Sequence, residues 1–104
     1  MGANPNQYQT GADSLNTPQI AVGTSNPAIQ LVAANPTRRA VTITNASTNN
    51  VFIGTSNAVA TTTGDLLAGI VGATKTYCVT CALYAISGSN STVTVAEEYD
   101  AGGP

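Results

Sequence analysis

The sequence predicts an all-β protein, a small β-sandwich or barrel of about six to seven short strands with an extended N-terminal arm. Three observations carry this reading. From Arg39 to Asn45 the residues alternate strictly, Val41 and Ile43 on one side and Ala40, Thr42 and Thr44 on the other. Period two with β-branched residues is the pattern of a half-buried strand. Turn-prone clusters recur between apolar runs, at Gly23–Pro27, Asn35-Pro36, Asn45–Asn50 and Ser87–Asn90. Charged residues make up only 8% of the chain, so Thr, Ser and Asn must supply the polar surface, as they do on strands and turns.

Taken in order, residues 1–17 hold Asn4-Pro5, Tyr8 and Leu15 with no strand or helix period, and read as an extended arm whose anchors for a partner are Tyr8 and Leu15. The β domain spans 18–98. Pro18 opens Gln19–Val22, and Ala28–Ala33 follows with Ile29 and Leu31 on one face. Asn35-Pro36 begins the central stretch, because proline fixes φ and pushes its predecessor away from helix. Here the β-branched strand and Val51–Ile53 predict a hairpin closed by the long turn Asn45–Asn50.

Residues 55–74 read as a loop with one apolar plug, Leu66 and Leu67 dipping into the core, and Asp65 capping a helical turn. Gly69 and Gly72 oppose anything longer at about 1 kcal/mol each. Strands at Thr76–Thr80, Leu83–Ile86 and Ser91–Glu97 complete the domain, the last two joined as a hairpin by Ser87–Asn90. The expected interior is Ile29, Leu31, Val41, Ile43, Val51, Ile53, Val79, Leu83, Val93 and Val95. Residues 99–104 form an acidic, Gly-rich tail.

At 104 residues, with one Phe and no Trp, the chain has few large side chains to anchor a core, and association with other chains is a common remedy. Lys75, Arg38 and Arg39 are its only basic residues, too few to neutralise a nucleic-acid backbone. No apolar run approaches a membrane span and no secretory h-region is present, so neither nucleic acid nor membrane is expected as a partner.

The chemistry is thin. With no His, Ser–His and Cys–His nucleophile pairs are excluded. The carboxylates lie mainly in the C-terminal tail, without an aromatic sugar platform, and no glycine run matches a phosphate-binding loop. An enzyme is not expected, nor a cofactor. Cys78 and Cys81 have C-x-x-C spacing, but two thiols cannot complete a structural zinc site and no βαβ context supports a redox dithiol. On a continuous strand they would face opposite ways, so a disulfide would need a turn between them. They read as small core-type cysteines. Arg38 and Arg39 have two readings: bidentate contact with a carboxylate on a neighbouring subunit, or a surface pair to Glu97 or Glu98 of the same fold.

The run Asn35-Pro36-Thr37-Arg38-Arg39-Ala40-Val41-Thr42-Ile43-Thr44-Asn45 and Val51-Phe52-Ile53-Gly54 resembles small virion proteins of tailed bacteriophages. Leu83-Tyr84-Ala85-Ile86-Ser87-Gly88 and Val93-Thr94-Val95-Ala96-Glu97-Glu98 extend the likeness, which covers Asn35 to Glu98. The resemblance implies a structural component of the particle. The leading expectation is a capsid decoration (cement) protein bound to the major capsid protein or other virion proteins, on the capsid exterior after assembly in the host cytoplasm. A homo-oligomer, such as a trimer, is expected. The alternatives are a tail, adaptor or fibre-attachment component and, from another class, a carbohydrate-binding module. Four Tyr without Trp lend the last little support. The expected partner-binding residues are Tyr8, Leu15, Arg38 and Arg39.

Overall fold

The computed structural model describes residues 12–100. They form nine strands and no helix: β1 (Ser14–Asn16), β2 (Gln19–Val22), β3 (Ile29–Val32), β4 (Arg38–Asn45), β5 (Val51–Gly54), β6 (Asp65–Leu67), β7 (Thr74–Tyr77), β8 (Leu83–Ser87) and β9 (Ser91–Tyr99). Two antiparallel sheets face each other. One has the order β1-β9-β4-β7, with β2 also on β9, and the other β3-β8-β5-β6. The all-β sandwich follows from the sequence as read, with more strands than expected.

The connectivity departs from the hairpins that the turns suggest. β4 and β5 lie in different sheets, as do β8 and β9, so Asn45–Asn50 and Ser87–Asn90 are arches between sheets. From β2 onward every connection crosses the sandwich except β5 to β6. The resulting orders, β2-β9-β4-β7 against β3-β8-β5-β6, are those of an eight-stranded jelly roll. Turn-prone residues mark where the chain reverses and do not say whether the next strand pairs beside the last or across the core.

β1 and β2 run consecutively along β9, with Leu15 opposite Glu98 and Ile20 opposite Val93. Pro18 interrupts them, offering its carbonyl to Val95 N at 2.9 Å although it has no N–H of its own. The boundary between arm and domain therefore falls earlier than residue 17, since Ser14–Asn16 already belong to the sheet. At the other end β9 continues to Tyr99, one residue into the expected tail.

The core lies between the sheets and consists of Val22, Leu31, Val41, Ile43, Val51, Ile53, Leu67, Leu83, Ala85, Val93 and Val95. Two expected members fall outside it. Ile29 is 43% exposed on the marginal strand β3, whose register shifts between Gln30 and Val32. Val79 is 37% exposed, because the chain leaves its sheet at Tyr77 and crosses to β8. Of the apolar plug only Leu67 enters, and Leu66 stays exposed on the opposite face of β6. Asp65 begins that strand and caps no helix. A second, small cluster, Ala28, Val59 and Ile86 with Phe52 and Tyr84, forms where the β5–β6 loop folds back over the outer face of its sheet.

Candidate docking surface and its polar supports

A buried polar side chain with several hydrogen bonds helps to tie each end of the sandwich. At the end formed by the β3–β4 and β7–β8 connections, that residue is Arg38. Its Nε donates to Glu97 Oε2 at 2.9 Å, and one terminal nitrogen donates to Val79 O at 2.9 Å and Cys81 O at 2.8 Å. The other terminal nitrogen donates to Ala33 O. Asn35 completes the cluster, its side-chain amide on Glu97 Oε2 and its backbone N–H on Thr80 O. The guanidinium fork suits this role, because its donors diverge in one plane toward several acceptors. Arg38 thus pairs with Glu97, one of the two intrachain partners foreseen, in the interior and not at the surface.

At the opposite end the fully buried Asn45 plays the equivalent part. Its amide nitrogen donates to Asn49 O and Ala68 O, both at 2.9 Å, while its Oδ1 accepts from the backbone N–H and hydroxyl of Ser47. Its own backbone N–H reaches Ala73 O, and its carbonyl accepts from Gly72 N, both at 2.8 Å. Asn50 Oδ1 accepts from Gly69 N at 2.8 Å. The β6–β7 loop is consequently held through its backbone by residues beneath it. Gly69 permits this seat, since a Cβ there would lie 2.6 Å from Thr48 O.

That loop turns through Ile70–Ala73, closed by Ala73 N donating to Ile70 O at 2.9 Å. Gly72 occupies its third position with φ +95°, the left-handed backbone that a type II turn requires there. Backbone polarity faces inward, so Ile70 and Val71 are left projecting, each 65% exposed. Two adjacent aliphatic side chains on a braced loop form a preorganised apolar tip, which loses little conformational freedom on docking. Sequence reasoning missed this tip and looked to Leu66-Leu67. The available signal was Gly69-Ile70-Val71-Gly72, a pair of aliphatics bracketed by the two residues that allow a tight turn.

Of the four residues expected to bind a partner, Leu15, Arg38 and Arg39 lie on the strands β1 and β4 that flank the C-terminal end of β9, and only Leu15 and Arg39 are exposed. Tyr8 lies outside the described residues. Leu15 is 61% exposed on β1, at the margin of its sheet. Arg39 is partly exposed and holds Asp100 Oδ2 at 2.9–3.0 Å through two nitrogens. Arg38 is not available to a neighbouring subunit, because its side chain is fully enclosed and committed within the domain. Cys78 and Cys81 are both exposed, contrary to the core role expected of them. They sit on the crossover between sheets, where no strand pattern carries side chains inward.

The β6 and β7 margins are linked across the sandwich by Asp65, which accepts from Lys75 Nζ at 2.9 Å and Tyr77 OH at 2.7 Å. These two hydrogen bonds, the tyrosine's first, hold the Asp65 carboxyl below its ordinary range. Burial, reinforced by the carboxylate, pushes the Tyr77 phenol above its own. On the opposite side a cleft of about 330 Å³ opens between β3 and the β1–β2 junction, lined by Leu31, Val32 and Val95 with Asn35 and Glu97. Compared with family models, curated proteins and solved structures, the chain matches none of them.

Proposed function

We propose that the protein is a non-enzymatic structural component of a bacteriophage virion, a capsid decoration protein that binds the assembled head shell and stabilises it. The observation that carries the reading is the braced apolar tip of Ile70 and Val71 on a domain with very little surface charge. Enclosing one such side chain contributes about 1.5–3 kcal/mol. That is modest for one copy, but multivalent attachment raises overall affinity without any new contact. The jelly-roll connectivity agrees with this use only by analogy, since the same architecture serves capsid, lectin and cupin domains. The resemblance of residues 35–98 to small phage virion proteins supports the same reading.

Copy number in purified particles tests it. A shell protein is present in a fixed ratio to the major capsid protein. A few copies per particle, recovered with isolated tails, would instead make it a tail or adaptor component.

A further inference from the structure

The two open margins of the sandwich are finished differently. Along one, Asp65 on β6 accepts from Lys75 and Tyr77 on β7 and so links the two sheets. Along the other, β3 ends one sheet while β1 and β2 share the edge of the other, and no described strand lies beyond either. Strand edges of this kind carry unpaired N–H and C=O groups. The cleft of about 330 Å³ lies between them, floored by Leu31 and Val95 and walled by Asn16, Gln30, Ala34 and Glu97. Glu97 gives a second, independent sign of an occupant. Its side chain is only 9% exposed, and its hydrogen bonds from Arg38 Nε and Asn35 Nδ2 both fall on Oε2. Oε1 accepts none among the described residues. It is not sealed in, because no enclosed side-chain oxygen among them lacks a partner, so Oε1 opens into the cleft. Arg38 already balances the carboxylate charge, and what Oε1 lacks is a neutral donor, an amide N–H or a hydroxyl.

We propose that the cleft receives residues 6–10 of a second copy of this chain, laid as an added strand along the edge of β3 with a side-chain donor on Glu97 Oε1. Residues 1–11 lie outside the described structure, and their sequence has the required chemistry. Asn6-Gln7-Tyr8-Gln9-Thr10 contains no charge, proline or glycine, and every side chain in it offers an N–H or O–H. Direction favours a second copy over the same chain. β1 sets Asn16 opposite Glu97 and Ser14 opposite Tyr99, so the chain before Ser14 starts out along β9 away from the cleft. Fully extended, residues 6–11 reach about 20 Å beyond Ala12, enough to lie on a touching neighbour. Exchange of a segment between identical copies also supplies the added burial that a small core calls for. This contact is independent of the virion reading and does not involve Ile70 or Val71.

Sedimentation of the full-length protein over a concentration series tests this, with a synthetic peptide of residues 1–11 as competitor. The parent should associate, and excess peptide should return it to monomer. Asn6→Asp/Gln7→Glu, which brings carboxylates against Glu97, should weaken association at least tenfold. So should Ala34→Phe, which adds bulk at the exposed rim of the cleft. Circular dichroism verifies that both variants keep the β spectrum. If Ala34→Phe does not fold, Asn16→Phe on the opposite wall takes its place. A parent that stays monomeric at every concentration would overturn the proposal, even if the segment docks on its own domain. So would an oligomer that resists excess peptide, or one that either folded variant leaves equally tight.

Discussion

Arg38 and Glu97 meet through a 2.9 Å contact with the arginine side chain fully enclosed and the glutamate side chain only 9% exposed. The pair ties β4 to β9, and the same guanidinium holds three backbone carbonyls from two connections. A buried ion pair gains from its own attraction only when the remaining hydrogen-bonding positions are satisfied. Here they are well supplied, and among the described residues no buried side-chain nitrogen or oxygen lacks a partner.

Removing one member should therefore be severe. Arg38→Ala leaves the Glu97 carboxylate buried without its cation, with the Asn35 amide still donating to it, and takes the guanidinium donor from the carbonyls of Ala33, Val79 and Cys81; it should cost about 3–5 kcal/mol in urea unfolding. Arg38→Lys should recover only part, because an ammonium cannot reproduce the planar fork. Equal stability for Arg38→Ala and the parent would contradict the buried-hub account.

The loop arch at the other end makes a different demand. A Cβ at Gly69 would lie 2.6 Å from Thr48 O, 2.8 Å from Asn49 C and 2.9 Å from Asn50 N, all backbone atoms. Gly69→Ala should destabilise by about 1–3 kcal/mol, since the arch beneath has to move. A Cβ at Gly23 meets nothing within 4 Å, so Gly23→Ala should be close to neutral and serves as the control. Thermal melts of the two variants decide between them.

The Asp65–Lys75–Tyr77 link predicts pH dependence at both extremes. Asp65 has a lowered folded pKa, so its contribution is present above the ordinary carboxyl value of 3.8 and is lost as pH falls through the folded value. Asp65 and Lys75 are both well exposed, and this acid-side effect should be small. Tyr77 has a raised folded pKa. Its contribution is complete below the ordinary phenol value of 10.0 and declines as pH rises above it. Absorbance titration should show Tyr77 ionising only as the protein unfolds, and Tyr77→Phe should flatten the alkaline loss of stability. Phenolate formation by Tyr77 near pH 10 in the folded state would contradict the link.

The strands were legible where the chemistry alternates. Val41 and Ile43, Val51 and Ile53, and Val93 and Val95 are all interior, as the period-two pattern requires. What the sequence hid was pairing. The turn residues of Asn45–Asn50 serve an arch as readily as a hairpin, and nothing local distinguishes them. Arg38 illustrates the limit for sites, because scarcity drew attention to it while its burial depends on two segments distant in sequence, around Val79–Cys81 and at Glu97. The cysteines were misplaced for a related reason: the strand ends at Tyr77, and from there the chain leaves its sheet and crosses to β8. Ile70 and Val71 went unnoticed because aliphatic residues are read as core by default, and only the brace under their turn turns them outward.

The most direct measurement is occupancy on heads lacking the protein, comparing the parent with Ile70→Asp/Val71→Asp. Both residues are exposed, so the variant should keep its fold and melting temperature, which circular dichroism verifies first. The account predicts that the parent fills the shell and raises its heat resistance, with little dependence on salt because few charges are involved. The variant should bind about tenfold more weakly or worse, since placing carboxylates in an apolar socket removes its burial and adds a desolvation cost. Equal occupancy by the two proteins would contradict the tip as the point of attachment. Failure of the parent to bind heads, with binding to isolated tails, would contradict the shell itself as its partner.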